Sequence, residues 1–118
     1  MEPITLYHNP RCSKSRAALA LLRSRGIEPD VVEYLKTPPS VAQLRGLLAQ
    51  LQLPVREVLR RGEAVYRELG LDGPTLTAAA LLQAVHEHPI LLERPIAVRG
   101  ERAVIGRPPE RVCELLDD

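Results

Sequence analysis

The fold is decided by residues 4–16, whose sequence is ITLYHNPRCSKSR. Ile4–Tyr7 is a short β-type run, Asn9-Pro10 is a turn signal, and a helical pattern starts at Ser13. Cys12 therefore precedes the first turn of a helix, where unpaired backbone N–H groups and the helix dipole favour an anion. A thiol at such a position loses its proton more readily than a free cysteine, whose pKa is about 8.5, and the thiolate is the reactive form.

Cys12 and Ser15 have the spacing Cys-x-x-Ser, which is the two-cysteine redox motif with a hydroxyl in place of the second sulfur. Such a site forms one covalent adduct but cannot close a local disulfide, so an outside thiol has to complete the reaction. Lys14 and Arg16 add positive charge to the same turn. The alternative is a buried structural cysteine, but a core position needs neither an Asn-Pro turn before it nor cations after it. We therefore interpret Cys12 as a reactive thiolate.

The next elements follow the first strand in a regular order. Ser13–Arg25 predicts a helix, and Val31–Leu35 predicts a second strand. A strand, a helix and a strand in this order imply a right-handed crossover and parallel pairing. Residues 40–88 are helical in pattern throughout, beginning at Ser40 and Gln43 with the residues of a capping box. This middle region is interpreted as an insert between two sheet-forming ends of the chain.

The last part of the chain returns to the sheet. Ile96–Val98 and Ala103–Ile105 predict two strands joined by a hairpin in which Gly100 can adopt positive φ. Pro108 and Pro109 start a last helix. The expected fold class is α/β, a single domain over 1–118 with a four-stranded mixed sheet, flanking helices and an all-helical insert at about 40–88.

Composition excludes several classes of function. The chain has 118 residues, enough for one domain, and a net charge of +1, which argues against nucleic acid as a partner. It has no signal-peptide pattern and no apolar stretch of roughly 20 residues for crossing a membrane. Cys12 and Cys113 alone do not make a disulfide framework, and Cys113 is interpreted as a packing residue. We predict a cytoplasmic protein with reduced thiols.

A set of short motifs extends the interpretation. They are Tyr7-His8-Asn9-Pro10-Arg11-Cys12, Ser15-Arg16, Tyr34-Leu35, Pro38-Pro39, Leu59-Arg60, His88-Pro89-Ile90-Leu91, Arg94-Pro95-Ile96 and Gly106-Arg107-Pro108. The order of elements is similar to the thioredoxin superfamily, and these motifs resemble its glutaredoxin-dependent arsenate reductase (ArsC) family from about Ile4 to Leu116. Well-known arsenate reductases of that family carry Cys-Gly-Thr-Ser, where this chain has Ser13 and Lys14.

The resemblance implies an activity and a set of site residues. The implied roles are nucleophile for Cys12, thiolate tuning for His8, Ser15 and Arg16, oxyanion binding for Arg60, Arg94 and Arg107, and the cis-proline for Pro95. Arsenate would be the substrate, with glutathione as co-substrate, glutaredoxin as protein partner and no bound cofactor. Arg94 and Arg107 also stand at predicted strand junctions, where α/β folds place ligands.

Two other functions remain open at this point. One is a non-enzymatic regulator similar to Spx that binds RNA polymerase, although Cys-x-x-Ser lacks the neighbouring sulfur of a thiol–disulfide switch. The other is a thiol oxidoreductase of the same fold with a different substrate. No metal site is expected, because no Cys-x-x-Cys or His-x-x-x-His spacing supplies further ligands beside His8 and Cys12.

Overall fold

Four short strands form one sheet in the computed structural model, which describes residues 2–116. The strands are β1 (Ile4–Tyr7), β2 (Asp30–Val32), β3 (Ile96–Arg99) and β4 (Arg102–Ile105), in the spatial order β2-β1-β3-β4. β1 pairs with β2 in parallel, whereas β3 is antiparallel to both β1 and β4. The predicted four-stranded mixed sheet is therefore confirmed, as is the parallel crossover from β1 to β2. Gly100 has φ 60° at the predicted hairpin turn.

Two helical elements cover the sheet in this unit, which comprises the chain up to Thr37 and from Arg94 onward. Helix α1 (Ser13–Ser24) follows β1, and a 3₁₀ helix (Pro109–Leu116) follows β4. Their apolar faces form one core with the strands, made of Ile4, Leu6, Ala18, Leu22, Ala97, Val112 and Leu115. Burying one such leucine fully contributes about 1.5–3 kcal/mol.

The second strand is shorter than predicted. Val31–Leu35 was expected to be extended, but β2 ends at Val32. The backbone N–H groups of Lys36 and Thr37 both donate to the carbonyl oxygen of Glu33, so the chain turns there. The expectation was wrong at this end because the apolar run continues through a turn.

The second unit, Pro38–Glu93, consists mainly of helices. They are α2 (Val41–Leu51), a 3₁₀ turn (Val55–Val58), α3 (Ala64–Glu68), α4 (Ala78–Glu87) and a second 3₁₀ turn (Pro89–Leu91). The predicted capping box is present, because Ser40 Oγ accepts from the N–H of Gln43 at 3.1 Å and Gln43 Oε1 accepts from that of Ser40 at 2.8 Å. Between these helices, Leu59 forms an isolated antiparallel bridge with Leu92. The assignment of 1–118 to one domain with an insert at 40–88 stays a prediction.

No helix between residues 2 and 116 combines the length and the apolar character that crossing a membrane requires.

Candidate active site

The loop after β1 holds Cys12 at the start of α1. The N–H of His8 donates to Val32 at 2.9 Å, which ties the end of β1 to β2. The chain then turns on Asn9: its side-chain Oδ1 accepts from the N–H of Arg11 at 3.0 Å, and its carbonyl accepts from the N–H of Cys12 at 3.0 Å. Cys12 therefore lies at the N-cap position of α1 with extended backbone angles, as the sequence predicted.

A buried polar cluster fixes this loop from below. Ser15, His8 and Asn9 are 0%, 6% and 5% exposed. Ser15 Oγ lies 2.6 Å from Nδ1 of His8 and accepts from the N–H of Asn9 at 3.1 Å. Because Ser15 is in the first turn of α1, these contacts fasten the loop to the helix that follows it.

His8 contributes geometry and not charge near neutral pH. Burial lowers the pKa of His8 below its ordinary value, and Arg23 and Arg16 lower it further, against the opposing effect of Glu33. The imidazole is therefore neutral at pH 7, and its Nδ1 is engaged with Ser15. Arg16, which is exposed, stabilises the other side of the loop by donating to the carbonyl oxygen of Pro10 at 2.9 Å.

The surroundings of the Cys12 sulfur favour the thiolate. Partial burial alone would raise the pKa of the Cys12 thiol, but the backbone N–H of Ser15, the Arg94 guanidinium and the backbone N–H of Lys14 together lower it below its ordinary value. The two amides face the sulfur without forming a regular side-chain cap. The lowered pKa favours the charged, reactive form of the sulfur, and Cys12 is only partly buried.

The sheet brings Arg94 and Arg107 to the end of the strands from which this loop leaves. Tyr7 pairs with Ile96, and Ile96 pairs with Ile105. The end of β1, the start of β3 and the end of β4 therefore lie side by side. Arg94 precedes β3 and Arg107 follows β4, and Nη1 of Arg107 donates to the carbonyl oxygen of Arg94 at 3.3 Å. The Cys12 sulfur and two guanidinium-bearing segments thus share one end of the sheet.

Gly106 sets the spacing at this edge, a role that the sequence did not reveal. Its N–H donates to the carbonyl oxygen of Pro95 at 2.8 Å, and the Arg94–Pro95 peptide bond is cis. A Cβ added at Gly106 would lie 2.8 Å from Cγ of Pro95 and 3.0 Å from Cγ1 of Val112. Because the proline ring is rigid, a side chain at position 106 must displace the segment that carries Arg94.

We expect Gly106→Ala to lower the free energy of unfolding by about 1–3 kcal/mol through overpacking, and to raise the pKa of Cys12 by shifting Arg94. Urea unfolding and a titration of thiolate absorbance measure the two effects. The matched control is Gly46→Ala in α2, where an added Cβ meets nothing within 4 Å. An unchanged Cys12 pKa in Gly106→Ala would contradict a link between Gly106 and the sulfur.

Arg60 belongs to the second unit and is held there by two carboxylates. Its Nε lies 3.2 Å from Oε2 of Glu63, and its Nη1 lies 2.7 Å from Oε1 of Glu93. The three side chains are between 22% and 27% exposed. Burial alone would lower the pKa of Arg60, but the hydrogen bonds and charges of both glutamates raise it. Its assignment to oxyanion binding stays a prediction.

The second cysteine packs as expected. Cys113 lies on the C-terminal 3₁₀ helix and contacts the core of the sheet unit. Among residues 2–116, no group of three or more His, Cys, Asp and Glu side chains is placed to hold a metal ion.

Comparisons with known proteins agree with one another. The model of the ArsC family matches residues 7–115. A Neisseria meningitidis serogroup A protein named arsenate reductase is 50% identical over 117 residues, which is 98% of this chain and 100% of the relative. The uncharacterized protein YfgD of Escherichia coli K12 is also 50% identical, over 96% of both chains. The solved structure of an arsenate reductase from Vibrio cholerae superposes with a TM-score of 0.94 at 50% identity, covering 96% of this chain and 97% of that one.

Proposed function

Because this chain belongs to the ArsC family, we propose that it is an enzyme that reduces arsenate to arsenite, with Cys12 as the nucleophile and glutathione and glutaredoxin as electron donors. The observation that carries the proposal is the environment of the Cys12 sulfur. Its pKa is lowered by the amides of the first helical turn and by Arg94, at a sheet edge that Arg107 also borders. A reactive sulfur anion beside guanidinium groups is what attack on an oxyanion requires.

The electrostatic cost of the reaction explains the arginines. Arsenate is a tetrahedral anion of about two negative charges, and it must approach a sulfur that is itself negative. Two like unit charges 4 Å apart repel by about 1 kcal/mol in water and about 4 kcal/mol near a protein surface, and a dianion doubles both values. Arg94 and Arg107 offset this repulsion, and the planar guanidinium suits two-point contact with the arsenate oxygens.

The reaction balances in three steps. The Cys12 thiolate attacks arsenic, a sulfur–arsenic bond forms, and one protonated oxygen leaves as water while arsenic stays at oxidation state +5. The thiolate of glutathione then attacks the Cys12 sulfur, and the sulfur–arsenic bond breaks with its electron pair on arsenic, which leaves as arsenite at +3. A thiol of glutaredoxin finally attacks the glutathione sulfur of the mixed disulfide and returns Cys12 to the thiolate.

The loop geometry supports the last two steps as well. Ser15 supplies no second sulfur, so the mixed disulfide cannot be resolved within the motif and must be resolved by a visiting thiol. The half-buried position of Cys12 leaves the sulfur within reach of such a visitor.

The test is arsenate-dependent NADPH oxidation, coupled through glutathione reductase, glutathione and glutaredoxin. We expect turnover that requires arsenate and both thiol components, and none when phosphate replaces arsenate, since phosphorus is not reduced by thiols. Turnover that is the same with and without arsenate, at saturating glutathione and glutaredoxin, would overturn the proposal.

A further inference from the structure

A cleft of about 220 Å³ opens beside the Cys12 loop. Its walls are the loop after β1, residues 8–11, and the turn after β2, which supplies Glu33, Leu35 and Lys36. One wall is the segment that positions the sulfur: Asn9 lines the cleft and its carbonyl oxygen accepts from the N–H of Cys12 at 3.0 Å. A ligand in this cleft would therefore contact the loop that positions Cys12.

The cleft presents charges of both signs. The Arg11 side chain is exposed and makes no ion pair or hydrogen bond with any residue between 2 and 116. Lys36 lies 3.3 Å from Glu33, but their side chains are 79% and 40% exposed, so this pair is weak and both groups remain open to a ligand. Two cations and one carboxylate therefore face the same space.

The rest of the lining comprises the buried polar residues His8 and Asn9 and two exposed apolar residues, Pro10 and Leu35. Leu35 is 37% exposed, one of three large apolar side chains among residues 2–116 that are exposed to this extent. Pro10, on the opposite wall, is exposed as well. A ligand with a short hydrocarbon or peptide body and charged ends would cover these surfaces, whereas a small inorganic anion would not.

The volume limits what can enter. Pockets for drug-sized ligands run from about 300 to 1,000 Å³, so a cleft of about 220 Å³ takes one end of such a molecule. A peptide thiol matches this description, because it carries carboxylates for the two cations, an ammonium group for the carboxylate, and a sulfur on the remaining part that can extend to Cys12.

We propose that the cleft between residues 8–11 and residues 33–36 is the subsite that holds one carboxylate-bearing end of glutathione, with Arg11 and Lys36 as its binding residues. The assignment rests on the proposed function in one respect, namely that glutathione is the thiol that reacts at Cys12. Arg11 and Lys36 bind the co-substrate and take no part in the attack on arsenate, which Arg94 and Arg107 serve.

The experiment measures the thiol step without arsenate. In a Cys113→Ala background, Cys12 is converted to its mixed disulfide with 4-thiopyridine, a label without a carboxylate. Glutathione attacks the Cys12 sulfur, the disulfide to the label breaks, and 4-thiopyridone leaves with the electron pair and is followed by its absorbance. The same rate constant is measured with 2-mercaptoethanol, which has no charged end. The ratio of the two rate constants cancels any change in the reactivity of Cys12 itself.

We expect Arg11→Gln and Lys36→Gln each to lower the glutathione-to-mercaptoethanol ratio by about twofold to fivefold, the range of an exposed ion pair. Lys14→Gln is the control: it removes one positive charge two residues from Cys12, but position 14 does not line the cleft. An unchanged ratio in both cleft variants would overturn the proposal, and so would an equal fall in Lys14→Gln, because the cations would then act only by attraction at a distance.

The ethyl ester of the glycine carboxylate of glutathione identifies the end that binds. If the penalty of the two cleft variants disappears with the ester, the glycine end occupies the cleft; if the penalty persists, the glutamyl end does, and either result supports the subsite. Because no arsenate is present, a protein inactive on arsenate can still show the charge-dependent reaction with glutathione, and the two proposals fail separately.

Discussion

Cys12→Ala is expected to reduce arsenate-dependent NADPH oxidation at least about 1,000-fold, to the background of the coupled assay, because removal of a nucleophile leaves no covalent route. Cys113→Ala is expected to retain the activity within about twofold, since Cys113 packs against the core of the sheet unit. Both variants delete one thiol, so the pair separates a specific role for Cys12 from a general loss of sulfur. The measurement is kcat/KM for arsenate at saturating glutathione and glutaredoxin.

The two cysteine variants could also give the opposite result. Activity that survives in Cys12→Ala and disappears in Cys113→Ala would move the nucleophile to the other end of the chain, and the helix-capping position of Cys12 would have no chemical meaning. Trapping supplies an independent check, because an alkylating reagent should label the wild-type protein at Cys12 faster than at Cys113 at pH 6.

Arg94→Ala is expected to raise the pKa of Cys12 and to lower kcat/KM for arsenate by about 100-fold, the loss typical of removing one donor to a developing anion. Under the proposed mechanism the Cys12 thiolate is the nucleophile, so the rate should rise with pH as Cys12 ionises. A higher pKa therefore moves that rise to higher pH, and the variant loses most at the acidic end of its profile. Thiolate absorbance near 240 nm and the pH dependence of kcat/KM measure the two effects.

Two variants control this result. Arg94→Lys keeps the charge but loses the planar guanidinium. Compared with Arg94→Ala, it should bring the Cys12 pKa close to the wild-type value while recovering only part of the activity. Arg111→Ala removes an exposed arginine of the same unit that pairs with Glu114 at 3.3 Å, and it should change neither quantity. If the Cys12 pKa stays the same in Arg94→Ala, the guanidinium does not stabilise the thiolate and the assignment fails.

The elements that local sequence specifies were predicted well. β1 has the predicted bounds, and α1 ends at Ser24, one residue before the predicted end. This agreement arises because the apolar run, the Asn-Pro turn and the helical periodicity all lie within residues 4–24. β2 was extended too far, because Tyr34 and Leu35 continue the apolar run although the chain turns at Glu33. Tyr34 is fully buried in that turn, so its burial is a tertiary property that β-propensity does not distinguish from a strand.

Longer-range features were not accessible in the same way. A last helix was predicted after Pro108 and Pro109, but the spacing of the buried Val112 and Leu115 fits an α-helix and a 3₁₀ helix equally, and the structure has the latter. The bridge between Leu59 and Leu92 joins positions far apart in the chain, and no local pattern indicates such a pair.

The candidate site divides along the same line. Cys12 could be identified from local sequence, because the adjacent residues predict its position at the start of a helix. The assignment of Arg94 and Arg107 to the site depended on the resemblance to a family. Gly106 was given no role, since it acts through a close contact with Pro95, and Asn9 was assigned to a turn without its hydrogen bonds to the loop. The Asn-Pro pair indicates the turn. For the close approach of Gly106 to Pro95, the only sign in the sequence was a glycine directly after a strand.

The hydroxyl of Ser15 has a consequence for how such a protein would work in a cell. It is fully buried and bonded to His8 and Asn9, so the position where related motifs keep a second sulfur holds a group that cannot be oxidised. The Cys-x-x-Ser motif therefore has no second thiol, and under the proposed mechanism an adduct on Cys12 would last until a thiol of another molecule attacks it. The turnover rate would then depend on the concentration of small thiols around the protein. When these thiols are depleted, the protein would accumulate as the Cys12 adduct.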